Sequence, residues 1–338
     1  MARRGGWRRE GRKGRFRYVD SRGEAITDPD KVARIEALAI PPAWRDVWIS
    51  PRPKAKLQAT GRDRAGRRQY LYHPDFRAQQ EQEKFDRLVL FAERLPGLRK
   101  AMSDHLAGEP FGVEWTCALA IRLINLGWFR VGTERYARTT RTFGITTLRK
   151  SHVSVRGSRI TFRYRGKHRV WVRTAVVDEE LAAAMKEMLK LPGGRQLFRY
   201  RYEDSLVHLT GTRLNGYVRD HLGHEFTAKD FRTWGGTLVA AIAFAERGPV
   251  DSETEAKRVV AGVMRAVGEQ LGNTPAVARS SYVSPAVIEQ YLDGRTIKDF
   301  RLRHLRIVSA RDSKLNREER ALLSLLRSWR IRRALVAA

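Results

Sequence analysis

Apolar residues recur at every second position in the first part of the chain and at every third or fourth position further along. Alternating segments bounded by Pro-rich and Gly-Arg-rich turns predict strands at 16–20, 47–50, 57–60 and 69–72. A short helix is predicted where Thr27-Asp28-Pro29 follows the first strand, since proline suits the start of a helix. This pattern predicts a small β-rich N-terminal domain over residues 1–85.

Past Pro74 the apolar period lengthens to about 3.6 residues, which is typical of helices. A stripe from Phe85 to Leu95 opens this region, and Pro96-Gly97 predicts the end of that helix. Three short alternating segments predict hairpins within the helical part, at 152–155, 159–164 and 170–174. Further helices are predicted at 115–129, 179–189, 233–246, 253–271 and 317–335. The fold class is therefore α+β, with a larger, mainly helical domain at 86–315 and a basic C-terminal helix at 316–338.

The amino-acid composition predicts a class of binding partner. The 338 residues are 42% hydrophobic, which is enough for a real core, but 66 Lys and Arg oppose only 37 Asp and Glu, for a net charge of +29. That excess exceeds what solubility requires and predicts a polyanionic partner. The longest apolar run, Leu238–Ala245, is too short to span a bilayer, and no apolar signal-peptide core follows Met1. We expect a cytoplasmic protein associated with the nucleoid.

Other local signals are weaker. Eight Arg and Lys among the first twenty residues predict a flexible basic arm along phosphates or, equally, a solvated tail. Cys117 lies among apolar neighbours and is expected in the core. His221 and His224 have no other potential ligands nearby and favour a surface turn over a metal site. No nucleotide-binding or zinc-protease motif is present, so we expect no cofactor and no metal.

Two arginines stand where local rules disfavour a cation. Arg130 follows an apolar helix among aromatic residues, so it needs either an anionic ligand or an ion pair with Glu134. Arg232 opens a predicted helix, where a cation opposes the helix dipole. A phosphate bound there, with Lys229 as a second contact, and a salt bridge to Asp230 are both compatible with the sequence.

Lys167 and Tyr282 are ambiguous from the residues alone. Lys167 lies at the tip of a predicted hairpin, where a solvated lysine is the commoner case. Tyr282 lies in Ser-Ser-Tyr-Val-Ser-Pro, where a packing aromatic is commoner than a nucleophile.

Taken in order, these segments resemble the type IB DNA topoisomerases of the compact bacterial and poxvirus-like branch. The likeness runs from about Tyr18 to about Asp293. It is carried by seven segments: Leu-Ala-Ile-Pro-Pro-Ala-Trp at 38–44, Gly-Arg-Asp-Arg-Ala-Gly-Arg-Arg-Gln-Tyr-Leu-Tyr-His-Pro at 61–74, Phe-Arg-Val-Gly-Thr-Glu-Arg-Tyr at 129–136, Gly-Ile-Thr-Thr-Leu-Arg at 144–149, Phe-Arg-Tyr-Arg-Gly-Lys at 162–167, Lys-Asp-Phe-Arg-Thr-Trp-Gly at 229–235 and Leu-Gly-Asn-Thr-Pro at 271–275.

The resemblance implies that Arg130, Lys167 and Arg232 are the catalytic cations and that Tyr282 is the nucleophile. The residue types suit that chemistry. Two guanidiniums hold the nonbridging oxygens of a phosphodiester, a lysine protonates the leaving 5′ oxygen, and the phenol forms a 3′-phosphotyrosyl bond. Because that bond is close in energy to the bond broken, resealing needs no ATP and no metal.

Two positions depart from the poxvirus pattern. Asn273 stands where the poxvirus and nuclear enzymes carry histidine, and it can donate a hydrogen bond in the transition state but cannot transfer a proton. Thr133 stands where the poxvirus enzymes have a basic contact, which puts an inherited cleavage-site preference in doubt. The resemblance also implies residues that contact DNA: Arg68, Gln69, Tyr70, Tyr72, Arg135, Tyr136 and Lys229.

Two alternatives remain at this stage. A tyrosine recombinase shares the Arg, Lys, Arg and Tyr set, but the β-rich N-terminal module differs from recombinase arm-binding domains, and 229–235 lacks their histidine-flanked second arginine. A noncatalytic basic DNA-binding protein would need the charge alone. We expect a monomer whose two lobes clamp duplex DNA, with a C-terminal helix that either contacts phosphates or packs on the catalytic lobe.

Overall fold

The computed structural model of the chain describes residues 5–12, 14–300 and 314–337. The start of the predicted basic arm (residues 1–4), Lys13, residues 301–313 of the predicted catalytic domain and Ala338 lie outside the described residues. The chain divides into two compact units, one ending at Lys84 and the other beginning at Phe85.

The first unit is built on a five-stranded antiparallel sheet with the strand order β2-β1-β3-β4-β5. Helix α1 accompanies it; the Asp28 side chain caps this helix by accepting from two backbone N–H groups. A small core forms around Ile35, Ile49 and Ala59, all at most 1% exposed. The elements are β1 (Trp7–Arg12), β2 (Arg15–Val19), α1 (Pro29–Ala37), β3 (Arg45–Ile49), β4 (Leu57–Arg62) and β5 (Arg68–Tyr72).

The expectation of a flexible arm or a solvated tail is wrong for residues 7–12. They form β1, which pairs with β2 on one side and β3 on the other. The Arg9 guanidinium donates to the carbonyls of Ile40, Pro41 and Trp44 and lies 4.2 Å from the centre of the Phe16 ring. Charge density alone misled the prediction, because arginine can be held by backbone carbonyls as well as by phosphates.

The second unit is mainly helical and holds one large core that includes Phe91, Ile121, Phe162 and Phe244. Cys117 was predicted to lie in the core, and it is 1% exposed there. Burial raises the pKa of its thiol to about 12. The helices are α2 (Pro74–Ala107), α3 (Val113–Gly127), α4 (Glu134–Thr139), α5 (Glu179–Lys190), α6 (Gly211–Leu222), α7 (Asp230–Arg247), α8 (Glu253–Leu271), α9 (Pro275–Ser281), α10 (Pro285–Leu292) and α11 (Arg317–Ala337).

The predicted helix end at Pro96 is wrong. Helix α2 continues through Pro96 to Ala107. Proline removes one backbone hydrogen bond and usually kinks a helix. Here Leu95, Leu98 and Met102 on both sides of Pro96 are at most 1% exposed, so tertiary burial outweighs the local penalty.

Two small sheets interrupt the helices. The predicted hairpins are confirmed as a three-stranded antiparallel sheet of β6 (Val153–Arg156), β7 (Arg159–Arg165) and β8 (Trp171–Val177). The second sheet was not predicted and pairs β9 (Arg199–Tyr202) with β10 (Ser205–His208). Among the described helices, none combines the length and the apolar character that crossing a membrane requires.

Helix α11 packs on the second unit through apolar and polar contacts. Leu322, Leu326 and Trp329 are buried in its core. The Trp329 indole donates to Glu289 at 2.6 Å, and Glu319, only 3% exposed, accepts two bonds from Arg99. The C-terminal helix is thus part of the folded core of this unit.

Candidate active site

The C-terminal end of α8 is where the predicted site residues meet. Helix α8 ends at Leu271, and Gly272 follows in the left-handed conformation with φ 61°. The last carbonyls of a helix have no partner within it and carry the negative end of its dipole. Two arginines distant in sequence supply the missing donors.

Arg130 is one of these donors. Its guanidinium donates to the Gly272 carbonyl at 3.0 Å and to Asn273 Oδ1 at 2.8 Å. Glu134 instead accepts from Gln196 and lies 3.9 Å from Arg138. The alternative of an Arg130–Glu134 ion pair is therefore wrong.

Arg232 is the other donor, in the first turn of α7 and 5% exposed. It donates to the Leu271 carbonyl at 2.7 Å and to the Trp128 carbonyl. Asp230 accepts from the N–H and hydroxyl of Thr227 at 2.8 and 3.0 Å, so the alternative of an Arg232–Asp230 salt bridge is wrong. The buried Nε of Arg232 has no hydrogen-bond partner among the described residues.

The end of α8 explains how two like charges can lie together. Burial and, second, the charge of Arg232 lower the pKa of Arg130, which is the sign of their mutual repulsion. Carbonyls at a helix C-terminus favour cations and offset part of this repulsion. The pair is thus held in place before any anion binds, with guanidinium N–H groups left for a ligand.

Tyr282 lies against this pair, directly after α9. Its half-buried ring has its centre 5.0 Å from the Arg232 guanidinium carbon. Its backbone is fixed on both sides, because its N–H donates to the Ala278 carbonyl and its carbonyl accepts from the Thr237 hydroxyl at 3.2 Å. The phenol therefore has a defined position beside two cations.

The pKa of Tyr282 is lowered from its ordinary value. Burial acts to raise it, but the charge and hydrogen bonding of Arg232, with the charges of Arg130 and Lys229, together lower it by more. Lys229 is exposed at the N-terminus of α7. The site thus favours a phenolate, the nucleophilic form of tyrosine.

Sequence reasoning missed Tyr164, on β7. It is 3% exposed, burial raises the pKa of its phenol, and it lies within electrostatic reach of Arg130 and Arg232. Strand alternation was the available signal, since Tyr164 shares its face with Phe162 and Ile160, which are also buried.

Lys167 is the predicted catalytic residue that the structure does not bring to this cluster. Its exposed side chain makes no hydrogen bond or ion pair with any described residue. The turn that carries it holds His168 and Arg169 at φ 60° and 61°, a conformation that costs energy in residues other than glycine. Backbone strain of this kind is often found at functional sites.

The predicted DNA contacts on β5 lie on two faces of one edge strand. Tyr70 and Tyr72 are 48% and 41% exposed, and their rings stack with centres 6.2 Å apart. Arg68 shares that exposed face. Gln69 points to the other side, where its amide donates to Asp63 at 3.0 Å.

In the second unit two further predicted contacts are on one short helix. Arg135 and Tyr136 lie on α4, with Thr133 as its N-terminal cap residue. The described residues contain no group of three or more His, Cys, Asp or Glu side chains placed to hold a metal ion.

Comparison with known proteins places these features in a family. Residues 73–304 match the family model described as the catalytic core of eukaryotic DNA topoisomerase I, and residues 15–63 match that of the N-terminal domain of bacterial DNA topoisomerase IB. DNA topoisomerase 1B of Acanthamoeba polyphaga mimivirus is 33% identical over 82% of this chain and 84% of its own. DNA topoisomerase 1B of vaccinia virus is 22% identical over 70% of this chain and 73% of its own.

The fold comparison gives a weaker likeness. A solved structure of the XerH site-specific recombinase bound to difH substrate has a TM-score of 0.37 at 13% identity, over 59% of this chain and 51% of that one. A likeness this low supports no conclusion about the family of this chain. The family models and the relatives agree with each other and with the resemblance of the sequence motifs. The chain belongs to the type IB DNA topoisomerase family.

Proposed function

We propose that this protein relaxes supercoiled duplex DNA by cutting one strand through Tyr282, letting the strand rotate and resealing it. The observation that carries this function is the tyrosine with a lowered pKa beside two arginines fixed at the end of α8. A noncatalytic DNA-binding protein has no need for such a cluster, because phosphate binding alone calls for charge and not for a phenolate.

The two arginines take the charge that develops during attack. As the Tyr282 phenolate oxygen bonds to phosphorus, negative charge grows on the nonbridging oxygens, and guanidinium N–H groups stabilise it. Arg130 keeps its Nε and one terminal nitrogen for this, since its bonds to Gly272 and Asn273 use only the other terminal nitrogen. Asn273 holds Arg130 through its side-chain oxygen and is thus a positioning residue in the DNA-free protein.

The bond to the 5′ oxygen breaks as the tyrosyl bond forms. That oxygen leaves more easily if it is protonated, and we assign the donor to Lys167. Because no described contact joins Lys167 to the cluster, its approach belongs to the DNA-bound state. Religation is the same step reversed: the 5′ hydroxyl attacks the 3′-phosphotyrosyl phosphorus, returns its proton to Lys167 and releases the Tyr282 phenolate without ATP or metal.

DNA binding uses both units in this scheme. We assign base edges or phosphates to Gln69, Tyr70 and Tyr72, and phosphates or nearby bases to four further residues, Arg68, Arg135, Tyr136 and Lys229. The protein acts as a monomer on the DNA of the bacterial nucleoid.

Relaxation of supercoiled plasmid in EDTA without ATP tests the function. The wild-type protein is expected to relax it and, on denaturation during the reaction, to remain linked to a 3′ phosphate. Tyr282→Phe removes the attacking oxygen and is expected to abolish relaxation while DNA binding keeps its salt dependence.

Tyr291→Phe is the matched control. Tyr291 lies nine positions further on, and its hydroxyl donates to the Gly248 carbonyl at 3.0 Å, away from the arginine pair. This variant should relax plasmid. Pure wild-type protein that fails to relax plasmid across a range of salt concentrations would overturn the function.

A further inference from the structure

Tyr164 on β7 is a buried tyrosine whose hydroxyl has no partner in the described part of the chain. It is 3% exposed, and its hydroxyl makes no hydrogen bond with any described residue. Its ring lies beside the His152 ring, with the two centres 6.1 Å apart. Polar groups at buried positions are normally hydrogen-bonded, because leaving one unpaired costs free energy. The free hydroxyl therefore indicates a ligand that supplies the missing acceptor.

Backbone hydrogen bonds place the end of β7 next to the segment that carries Arg130. The Phe143 N–H donates to the carbonyl of Arg165, the last residue of β7, at 2.8 Å. Two residues further on, the Ile145 N–H donates to the Arg130 carbonyl at 2.7 Å. Residues 143–145 thus join the end of β7 to Arg130.

Side-chain packing agrees with this placement. The rings of Phe129 and Phe162 meet edge to face, with their centres 4.8 Å apart. Phe162 and Tyr164 are alternate residues of β7 and are both buried, so they project from the same side of the strand. Tyr164 therefore lies on the face of β7 that packs against Phe129, the neighbour of Arg130 in the chain.

The arginine pair at the end of α8 is a common neighbour of two phenols. Tyr164 and Tyr282 both lie within electrostatic reach of Arg130 and Arg232. Burial outweighs these charges at Tyr164 and raises its pKa, whereas the pKa of Tyr282 is lowered. Tyr164 therefore keeps its proton at neutral pH and can donate a hydrogen bond, while Tyr282 is the phenol prepared to lose its proton.

A neutral donor suits this place better than a third cation. Repulsion from Arg232 already contributes to the lowered pKa of Arg130. A tyrosine hydroxyl can donate one hydrogen bond to a bound anion without adding positive charge. It therefore adds to the stabilisation of an oxyanion without adding to the repulsion within the arginine pair.

We propose that the Tyr164 hydroxyl donates a hydrogen bond to a nonbridging oxygen of the scissile phosphate, as a third donor beside Arg130 and Arg232. This inference rests on the proposed function, because it takes a phosphodiester to be held at the arginine pair. Negative charge grows on the nonbridging oxygens as Tyr282 attacks, so the bond strengthens in the transition state. The proton stays on Tyr164 throughout, and Tyr164 is a catalytic residue that neither attacks nor transfers a proton.

Single-turnover cleavage by full-length protein tests this role, on a duplex whose cleavage site has been mapped with the wild type. Tyr164→Phe removes the hydroxyl and keeps the ring. With protein in excess and DNA saturated, we expect the cleavage rate constant to fall at least tenfold, because a donor to a developing oxyanion contributes this much or more. The factor should be the same at neutral and mildly alkaline pH, because Tyr164 stays protonated.

Sulfur substitution at the scissile phosphate identifies the atom that the hydroxyl contacts. Sulfur in place of one nonbridging oxygen weakens a hydrogen bond to that position, because sulfur is the poorer acceptor. The two phosphorothioate diastereomers are cleaved separately by wild type and by Tyr164→Phe. The slowing caused by sulfur should be several-fold smaller in the variant for one diastereomer and unchanged for the other. A hydroxyl that only supports packing has no such preference.

Tyr217→Phe is the matched control, because Tyr217 is also buried but its hydroxyl is hydrogen-bonded to His105 Nδ1 at 2.8 Å. This variant loses a hydrogen bond, so it should unfold at a lower temperature while cleaving DNA at the wild-type rate. Tyr164→Phe should show the reverse. It should cleave slowly and unfold at no lower temperature than wild type, because the hydroxyl removed has no described partner.

Three outcomes overturn the inference. Cleavage by Tyr164→Phe at the wild-type rate means that the hydroxyl does not contact the reacting phosphate. Sulfur effects equal to those of wild type for both diastereomers assign any loss of rate to packing. A pH profile displaced along the pH axis means that Tyr164 acts through the pKa of Tyr282. Wild-type protein that cleaves no DNA overturns the proposed function instead, so the two failures are distinguishable.

Discussion

At the residue scale, the site depends on donors and acceptors that are far apart in the sequence. Arg130 bonds to Gly272 and Asn273, more than 140 positions away, and Arg232 bonds to Trp128 and Leu271. From the local sequence, Glu134 and Asp230 were equally reasonable partners. Local spacing shows that an arginine needs a partner but not that the end of a distant helix supplies it.

Lys229→Gln tests how the lowered pKa of Tyr282 arises. Removing this exposed charge leaves the bonds of both arginines in place but takes away one cause of the lowering. The pKa of Tyr282 should therefore rise. At any pH below that pKa, a smaller fraction of Tyr282 should be in the phenolate form. The rising limb of single-turnover cleavage rate against pH is expected to move to higher pH, with the plateau reached at high pH less affected.

Lys257→Gln is the control for this change, because Lys257 is exposed on α8 and paired with Glu253 at 2.6 Å. Its pH profile should match that of the wild type. If Lys229→Gln lowers the rate equally at every pH, Lys229 acts by binding DNA and not through the phenol.

At the scale of elements, the position of Tyr282 is set by close packing against α7. A methyl group added at Gly236 would lie 2.9 Å from the Tyr282 carbonyl oxygen and 3.1 Å from its Cβ. An alanine in a helix normally stabilises it relative to glycine by about 1 kcal/mol. At Gly236 that gain is opposed by a clash with backbone, so the turn after α9 must shift.

Gly236→Ala is therefore expected to lower the cleavage rate of bound DNA at least tenfold, since attack tolerates little displacement. Gly262→Ala is the matched change, because Gly262 lies within α8 and an added methyl group meets nothing within 4 Å. That variant should cleave normally and unfold at a higher temperature. Normal cleavage by Gly236→Ala would show that α7 does not position the tyrosine.

Glu319 gives a second prediction at this scale, for the attachment of α11. It accepts bonds from Arg99 at 2.7 and 2.9 Å and from the Trp234 indole at 3.3 Å. Burial acts to raise its pKa, but the bonds and charge of Arg99, with the bonds from the Asn316 N–H and the Trp234 indole, together lower it by more. A carboxylate with a lowered folded pKa adds stability above its unfolded pKa of about 4.3, and this is lost as pH falls through the folded pKa.

Glu319→Gln should lower the free energy of unfolding by about 3 kcal/mol at neutral pH, because Arg99 is left without its counter-charge. The difference in free energy of unfolding between this variant and the wild type should shrink when the pH falls below the ordinary glutamate pKa. Glu93→Gln breaks the exposed pair with Arg327 and should cost less than about 1 kcal/mol. Denaturant titrations at neutral pH and at a pH below the ordinary glutamate pKa measure these free energies of unfolding. A difference between Glu319→Gln and wild type that does not change with pH would contradict the ionic role of Glu319.

Elements could be predicted from the sequence where one periodic pattern was strong. The span 253–271 agrees with α8 at both ends, and the hairpins of β6 to β8 were found within a few residues. Pro96 misled the prediction because the burial around it is invisible to local rules. The β9–β10 pair and helices α4, α6, α9 and α10 were missed. The short β9 and β10, Arg-Tyr-Arg-Tyr and Ser-Leu-Val-His, are weakly alternating and depend on pairing with each other.

At the scale of the whole molecule, net charge sets how the protein responds to salt. The charge of +29 is a sum over the amino-acid sequence, whereas its consequence depends on which charges the fold pairs. Arg163 and Arg173 oppose each other directly across β7 and β8, and Arg130 and Arg232 lie together at the end of α8, so repulsion between like charges persists in the folded state. Such self-repulsion lowers the stability of a compact protein and is screened by ions.

The thermal midpoint of the DNA-free protein is therefore expected to rise as NaCl increases from low concentration to about 0.1 M, where the screening length is about 10 Å. A short duplex should raise the midpoint further at low salt, because it binds the folded state, and this gain should shrink as salt weakens binding. Added salt should thus raise the midpoint of the DNA-free protein and reduce the extra stabilisation by DNA. Plots of midpoint against NaCl concentration with and without DNA should therefore converge. If the midpoint of the DNA-free protein instead falls steadily with NaCl, attraction between its paired charges outweighs repulsion between its unpaired charges. Bound DNA would then not be needed to relieve repulsion on the protein surface.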